Sequence, residues 1–293
     1  MRILLATDGS KDARAATAFL KELSPAPSTT VRIVAVITVP DIALDASPAR
    51  EFKRAVRDEA QAFVEAARAT LAPRGFTIES EVVVGDPRQQ IVTLAEKWAA
   101  DLIVVGARGV GAIKRFLLGS VSQAVAHHAH CPVLVVKGQP RKLANVLVGM
   151  DGSEDSFRAV RFLQLLCLPR QTKVRLLGVV ERLRYPSTAP GMLRGQLVKM
   201  LKELEAERRA ELDKVLERAA THLEDRITRV TKTTPAGNPA DEILAIADAF
   251  DADLIVVGAR GMRGVARLLL GSVSERVLRH ARCPVLIVKE TSS

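Results

Sequence analysis

The decapeptide ADLIVVGARG occurs twice, at residues 100–109 and 252–261, without a single difference. LLGSVS at 117–122 and 269–274, and CPVL at 131–134 and 283–286, keep the same separation of 152 residues, and each CPVL runs into a Val-Lys pair. Gly85-Asp86-Pro87 and Gly237-Asn238-Pro239 share it as well. At the front, ILLATDGS (3–10) answers to VLVGMDGS (146–153) at a separation of 143, so the second copy carries nine extra residues, placed near 183–200. This period is far longer than the ~20–50 residues of solenoid units. It marks a duplicated domain, 1–138 and 145–293, joined by the Gly-, Pro- and Lys/Arg-containing segment 138–144.

Each copy alternates short apolar runs with amphipathic stretches. In the first, 3–7, 31–39, 76–84, 102–105 and 133–136 read as strands, and 11–23, 49–72, 90–99 and 118–129 as helices, with Ser10 capping the first helix. The second copy gives strands at 145–150, 173–181, 226–233, 254–257 and 285–288, and helices at 153–167, 192–221, 239–249 and 270–281. Apolar strands alternating with helices point to the α/β class: in each copy a doubly wound parallel sheet of five strands, with a ligand crevice at their carboxyl ends. Leu193, Leu197, Leu201, Leu204, Leu212, Val215 and Leu216 give 192–221 an apolar face for packing on a sheet. The extra segment, with Tyr185, Pro186 and Pro190, reads as a mobile loop near the second crevice.

Composition narrows the class further. Apolar residues make up 48% and charged residues 26% of the 293, the profile of a globular protein. No apolar run approaches the ~18–20 residues a membrane helix needs. Met1 leads straight into a strand, so no secretory signal is expected, and three cysteines make no disulfide framework; a cytoplasmic setting is expected. The net charge of +10 raises nucleic acid as a partner, but both signs are interspersed, and one Trp and one Tyr supply little stacking surface. The expectation is a surface attractive to anions in general, with no dedicated nucleic-acid role.

The densest constellation is Gly106-Ala107-Arg108-Gly109, nine residues, then Gly119-Ser120-Val121-Ser122. Its second copy is Gly258-Ala259-Arg260-Gly261, nine residues, then Gly271-Ser272-Val273-Ser274. It follows a buried strand and opens a helix, whose first N–H groups are free donors favoured by the dipole for anions. Arg108, Lys114 and Arg115, with Arg260, Arg263 and Arg267, add positive charge. Two readings fit: a phosphate cradle, or glycines that shape a turn and a serine that caps a helix. Asp8 and Asp151 end the first strand of each copy, and there too a site carboxylate and a helix-capping turn both fit.

Together these residues resemble the universal stress protein family, in its tandem, ATP-binding form: a first strand ending in Asp, a G-x₂-G-x₉-G-S loop and a closing CPVLVVK strand. The resemblance covers nearly the whole chain. It implies strand order 3-2-1-4-5 in each copy and ATP, with or without Mg²⁺, at the switch point. Phosphate and ribose contacts would fall on Gly106, Gly109, Gly119, Ser120, Val121 and Ser122, and on Gly258, Gly261, Gly271, Ser272, Val273 and Ser274; the charge of Arg108 and Arg260 adds these two to the expected nucleotide-binding residues. The nucleoside side would fall on Asp8 and Asp151, and backbone contact to adenine near Val36 and Val179. Family members pair through the last strand; here the two copies would pair internally as a pseudo-dimer, leaving both monomer and homodimer of such units open. Gly149 stands where the first copy has Ala6, so a backbone approach to the nucleotide there would be tighter in the first copy.

Other chemistries find less support. His127, His128, His130 and Cys131 suggest a metal site, but Arg279 and Arg282 replace two of the histidines in the second copy, and Arg cannot ligate a metal. What the copies share there is positive charge at a helix C-terminus. No Gly-Lys-Ser/Thr occurs, the glycines follow a fourth and not a first strand, and no nucleophile elbow surrounds Ser120. The expected function is therefore ATP-binding regulation through conformation or a protein partner, not an enzyme. A slow ATPase or phosphotransferase is the alternative, and a nucleotide-free scaffold the third reading.

Overall fold

The computed structural model describes residues 1–23, 28–38, 47–109, 118–139, 141–182, 191–224, 227, 229–262 and 270–290. The first half runs β1 (Arg2–Ala6), α1 (Lys11–Glu22), β2 (Thr30–Ile37), α2 (Ser47–Leu71), β3 (Thr77–Val84), α3 (Pro87–Lys97), β4 (Leu102–Gly106), α4 (Ser120–His128) and β5 (Val133–Val136). The second runs β6 (Asn145–Met150), α5 (Glu154–Leu165), β7 (Lys173–Gly178), β8 (Val180–Glu181), α6 (Gly191–Glu224), β9 (Arg229–Thr233), β10 (Ala236–Gly237), α7 (Pro239–Ala249), β11 (Leu254–Gly258), α8 (Ser272–His280) and β12 (Val285–Val288).

Ten strands form one sheet in the order β3-β2-β1-β4-β5-β12-β11-β6-β7-β9. Each half thus has the order 3-2-1-4-5, and its strands pair in parallel. The halves meet at a single antiparallel pair, β5 with β12, in which Leu134 faces Leu286. This is the internal pseudo-dimer.

Alternation along the strands divides the core. Ile3 and Leu5 face α1 and α2, and their cluster continues through Leu134 and Leu286 to residues of α5 and α6. Leu4 and Ala6 face the other way, in a cluster that continues through Val133 and Val285 to residues of α7 and α8. Each face of the sheet therefore carries one apolar layer shared by both halves.

Helix starts follow from local chemistry. Ser10 and Ser153 cap α1 and α5, accepting from the amides of Ala13 and Ser156. Asp86 caps α3 by accepting from Arg88, and Pro87 sets the first turn, so that helix begins three residues before the expected 90. Asn238 does the same for α7.

Two further expectations changed. The expected strand 173–181 is broken at Val179. The β7–β9 ladder ends at Leu177 opposite Thr233, and the same register resumes as β8 with β10, Val180 opposite Ala236. Continuing it would set Val179 against Pro235, which has no N–H to give. The first half has Val83 at that rung and its eight-residue ladder is unbroken. The expected packing along the whole of helix 192–221 is confined to its end: Leu216, Ala219, Ala220 and Leu223 are buried, whereas Met200 and Leu204 are exposed. A helix of 34 residues is about 50 Å long, well beyond the reach of a six-residue strand. The expected loop at Tyr185, Pro186 and Pro190 lies outside the described residues.

Candidate functional site

Asp8 and the second motif glycine meet across the sheet's carboxyl edge. A Cβ built on Gly109 would stand 2.5 Å from Oδ2 of Asp8, and one on Gly261 would stand 2.6 Å from Oδ2 of Asp151. The other carboxylate oxygen accepts from the backbone of the following turn, Ser10 N–H at 3.0 Å and Ser153 N–H at 2.9 Å. In the second half Met262 N–H also donates to Asp151, at 2.9 Å. The turn reading of this aspartate is met, since it shapes the Asp-Gly-Ser turn, and its carboxylate also lies against the second motif glycine.

The other glycines make room for the protein itself. A Cβ on Gly106 would reach the backbone of Asp12 and Ala13 at 2.6 Å, and one on Gly258 the backbone of Asp155 at 2.7 Å. Their absence lets the strand end approach the first turn of α1 or α5. Gly119 and Gly271 fold back on the loop, donating to the carbonyls of Ala107 and Ala259 at 2.8 and 2.7 Å. Gly149 likewise faces Val257 and Ile243 in the core, so its difference from Ala6 concerns packing beneath α7.

Gly119 and Gly271 are also the N-caps of α4 and α8, and neither end has a side-chain cap. The first amides of these helices, from Ser120 to Ser122 and Ser272 to Ser274, have no acceptor within the helix. Ser120 and Ser272 are exposed there, with Val121 and Val273 half-buried beside them. Ser122 and Ser274 are turned inward, donating to the carbonyls of Ala107 (2.7 Å) and Gly258 (2.6 Å). They fasten the helix to the loop. Val36 and Val179 lie on the same carboxyl edge in or next to the adjoining strand, outside the Asp–Gly cluster.

Arg108 and Arg260 are engaged from within. Arg108 Nε donates to Asp12 Oδ2 at 2.9 Å, and Arg260 Nε to Asp155 Oδ2 at 3.2 Å. Both aspartates are buried. Asp155 has a second partner, Arg158, at 2.6 Å. The Ser10 and Ser153 hydroxyls add bonds to the carbonyls of Arg108 and Arg260. Sequence reasoning missed Asp12 and Asp155, although the spacing D-G-S-x-D in both copies carried the signal. Lys114, Arg115, Arg263 and Arg267 lie outside the described residues.

Among the described residues, no helix is long and apolar enough to cross a membrane. The sequence profile described as "Universal stress protein family" matches residues 1–137 and again 143–289. A universal stress protein of Mycobacterium tuberculosis is 31% identical over 239 residues, covering 80% of this chain and 75% of its own length. One of Mycolicibacterium smegmatis is 29% identical over 98% of this chain and 96% of its own. The crystal structure of a universal stress protein from Archaeoglobus fulgidus shares the fold, with a TM-score of 0.65, 23% identity, and 99% of this chain and 98% of its own covered. The chain belongs to the universal stress protein family, with two copies of its fold in tandem.

Proposed function

We propose that each half, 1–138 and 145–293, binds one adenine nucleotide, ATP with or without Mg²⁺, and that the chain is a cytoplasmic regulatory protein. The observation that supports this most is the pair of open helix ends. At the carboxyl edge of each half's sheet, a glycine N-cap without a side-chain cap leaves the first amides of α4 or α8 free for an anion. The donor set fits a phosphate chain. The amides of Ser120, Val121 and Ser122 and the Ser120 hydroxyl would hold it in the first half, and those of Ser272, Val273 and Ser274 in the second. Asp8 and Asp151 lie beside the loop, where a carboxylate suits ribose hydroxyls, and Val36 and Val179 would meet the base through their backbone. Arg108 and Arg260 hold the loop in place through Asp12 and Asp155.

Bound ATP supplies binding energy that differs between two conformations, which is what a regulatory ligand needs in order to shift affinity for a protein partner. Turnover is not part of the reading. The carboxylates at the cluster accept from backbone amides and are held in the turn, which does not suit a general base.

The test is to purify the chain without added nucleotide, denature it and quantify what is released. About two ATP per chain supports the proposal. An empty protein that also fails to bind ATP with Mg²⁺ on titration overturns it in favour of a scaffold, and ADP accumulating in proportion to protein would favour slow hydrolysis.

A further inference from the structure

The two halves differ sharply at the amino ends of their strands, the edge of the sheet opposite the Asp–Gly cluster. In the first half Arg32 of β2 lies over the Trp98 ring, 4.5 Å from its centroid. It is neutralised on the sheet surface by β3: Nη2 is 2.6 Å from Glu79 and Nη1 3.7 Å from Glu81. In the second half the same arginine is retained. Arg175 of β7 lies over the Phe250 ring at 4.1 Å. The carboxylates are not retained: Thr231 stands opposite Arg175 in the register, where Glu79 stands opposite Arg32, and Thr233 replaces Glu81. Two cations are added, since Thr30 and Thr77 of the first half correspond to the paired Lys173 and Arg229, and one is lost, since Asn145 stands in place of Arg2.

The result is an open cradle of about 570 Å³ lined by Asn145, Lys173, Arg175, Arg229, Thr231 and Phe250. Among the described residues no carboxylate pairs with Lys173, Arg175 or Arg229. The acids nearest in sequence to Phe250 are engaged elsewhere: Asp248 with Arg282 at 3.5 Å, Asp251 with Arg141 at 2.6 Å, and Asp253 with the amides of Ala144 and Asn145 at 2.9 Å. Strand alternation puts Lys173, Arg175, Arg229 and Thr231 on one face, and the aromatic ring holds the Arg175 guanidinium flat, leaving its edge to donate. Asn145 spends its side-chain amide on the carbonyls of Phe250 and Asp251, at 3.2 Å each, and the three cations with the Thr231 hydroxyl suit a compact ligand of high negative charge.

We propose that this cradle binds a small phosphate-bearing anion, at a site separate from either nucleotide crevice and present only in the second half. The first half is the internal control, because there the protein's own glutamates occupy the arginine.

The test titrates the full chain with inorganic pyrophosphate, and in parallel with inorganic phosphate, at constant ionic strength. Binding is followed by calorimetry and by the NMR signal of the Asn145 side-chain amide. A shift of that signal, with pyrophosphate tighter than phosphate, is expected. Thr231→Glu restores the acid of the first half and should weaken binding by about tenfold or more, whereas Thr231→Gln should retain it. Lys173→Ala with Arg229→Ala should weaken it as well, and Gly261→Ala, which alters the opposite edge, should leave the titration of the Asn145 signal unchanged. An Asn145 signal that does not move at millimolar pyrophosphate overturns the proposal. So does an affinity indifferent to Thr231→Glu, or one lost on Gly261→Ala, which would assign the anion to the crevice.

Discussion

The Nζ of Lys289 lies 2.9 Å from the carbonyl oxygen of Ala129, at the C-terminal end of a helix in the other half of the chain. It also donates to the carbonyl of His127 at 2.9 Å. The relation is reciprocal: Lys137 donates to the carbonyls of Leu278 and Ala281, closing α8. Each half therefore ends β5 or β12 with a lysine that caps the other half's last helix, where a cation suits the helix dipole. The Val-Lys pair that closes both repeats belongs to the joint between them.

These lysines make stability depend on pH in a definite direction. Burial lowers both from the ordinary 10.5 to about 8, and raises Cys131 and Cys283 from 9.0 to about 12. Above pH 8 the unfolded chain holds lysine protons that the folded chain has released, so stability rises with pH. From about pH 9 the thiols act in the opposite sense, because only the folded chain keeps their protons. Denaturation at pH 9 should therefore show about 1 kcal/mol more stability than at pH 8, with a decline above about pH 10. Lys137→Met should halve the lysine contribution and the double variant with Lys289→Met should abolish it. Replacing both cysteines with Ala should remove the decline. A flat profile from pH 8 to 9 in the unaltered chain would refute the assignment.

The extent to which the sequence revealed this architecture depended on the range of the interaction. Residues 133–136, 145–150, 239–249 and 285–288 read correctly to the residue, because apolar runs and caps are local signals. The break at Val179 did not, since it arises from Pro235 on a strand that is a neighbour only in the fold. The lysine caps span 141 to 162 residues, so the repeated Val-Lys pair was visible but its partners were not. At the candidate site the glycine spacing pointed to the loop, but the role of the glycines was only half legible: they give space to Asp8, to α1 and to the loop's own carbonyls. The partners of Arg108 and Arg260 were readable only as a repeated spacing, D-G-S-x-D.

The buried aspartates differ in their support. Asp12 pairs with Arg108, whereas Asp155 has both Arg260 and Arg158. Arg108→Met should therefore cost more than Arg260→Met, about 3 against about 1 kcal/mol, because only in the second half does another arginine stay bonded to the buried carboxylate. Adding Asp12→Asn to Arg108→Met should recover a large part of the loss. Urea midpoints of the three variants decide this, and equal costs for the two arginines would contradict it.

Two glycines separate backbone strain from crowding. Gly75 has φ +78 with open space where a Cβ would stand, whereas Gly9 has φ +70 with the Phe63 ring in that place. Gly75→Ala should cost about 1 kcal/mol, the strain of a left-handed residue alone. Gly9→Ala should cost about 2–4 kcal/mol, because the ring and with it α2 must shift. Thermal melts that rank the two the other way would show that α2 yields freely at Phe63.

The contact of Asp8 with Gly109 allows the two crevices to be separated. Alanine at 109 would press on the Asp8 carboxylate at 2.5 Å and displace it from the Ser10 amide, while the second half keeps its own Asp151–Gly261 arrangement. Gly109→Ala should lower ATP stoichiometry from about two per chain to about one, through a loss of at least about tenfold in affinity at the first site. Gly261→Ala should do the same at the second site, and the double variant should bind none. Because Gly109 and Gly261 are exposed and take no part in the apolar layers, the melting temperature without nucleotide should change by only a few degrees, roughly the shift that accompanies 1 kcal/mol. Calorimetric titration reads both quantities. Full stoichiometry in the double variant would show that the aspartate–glycine contact serves the turn alone.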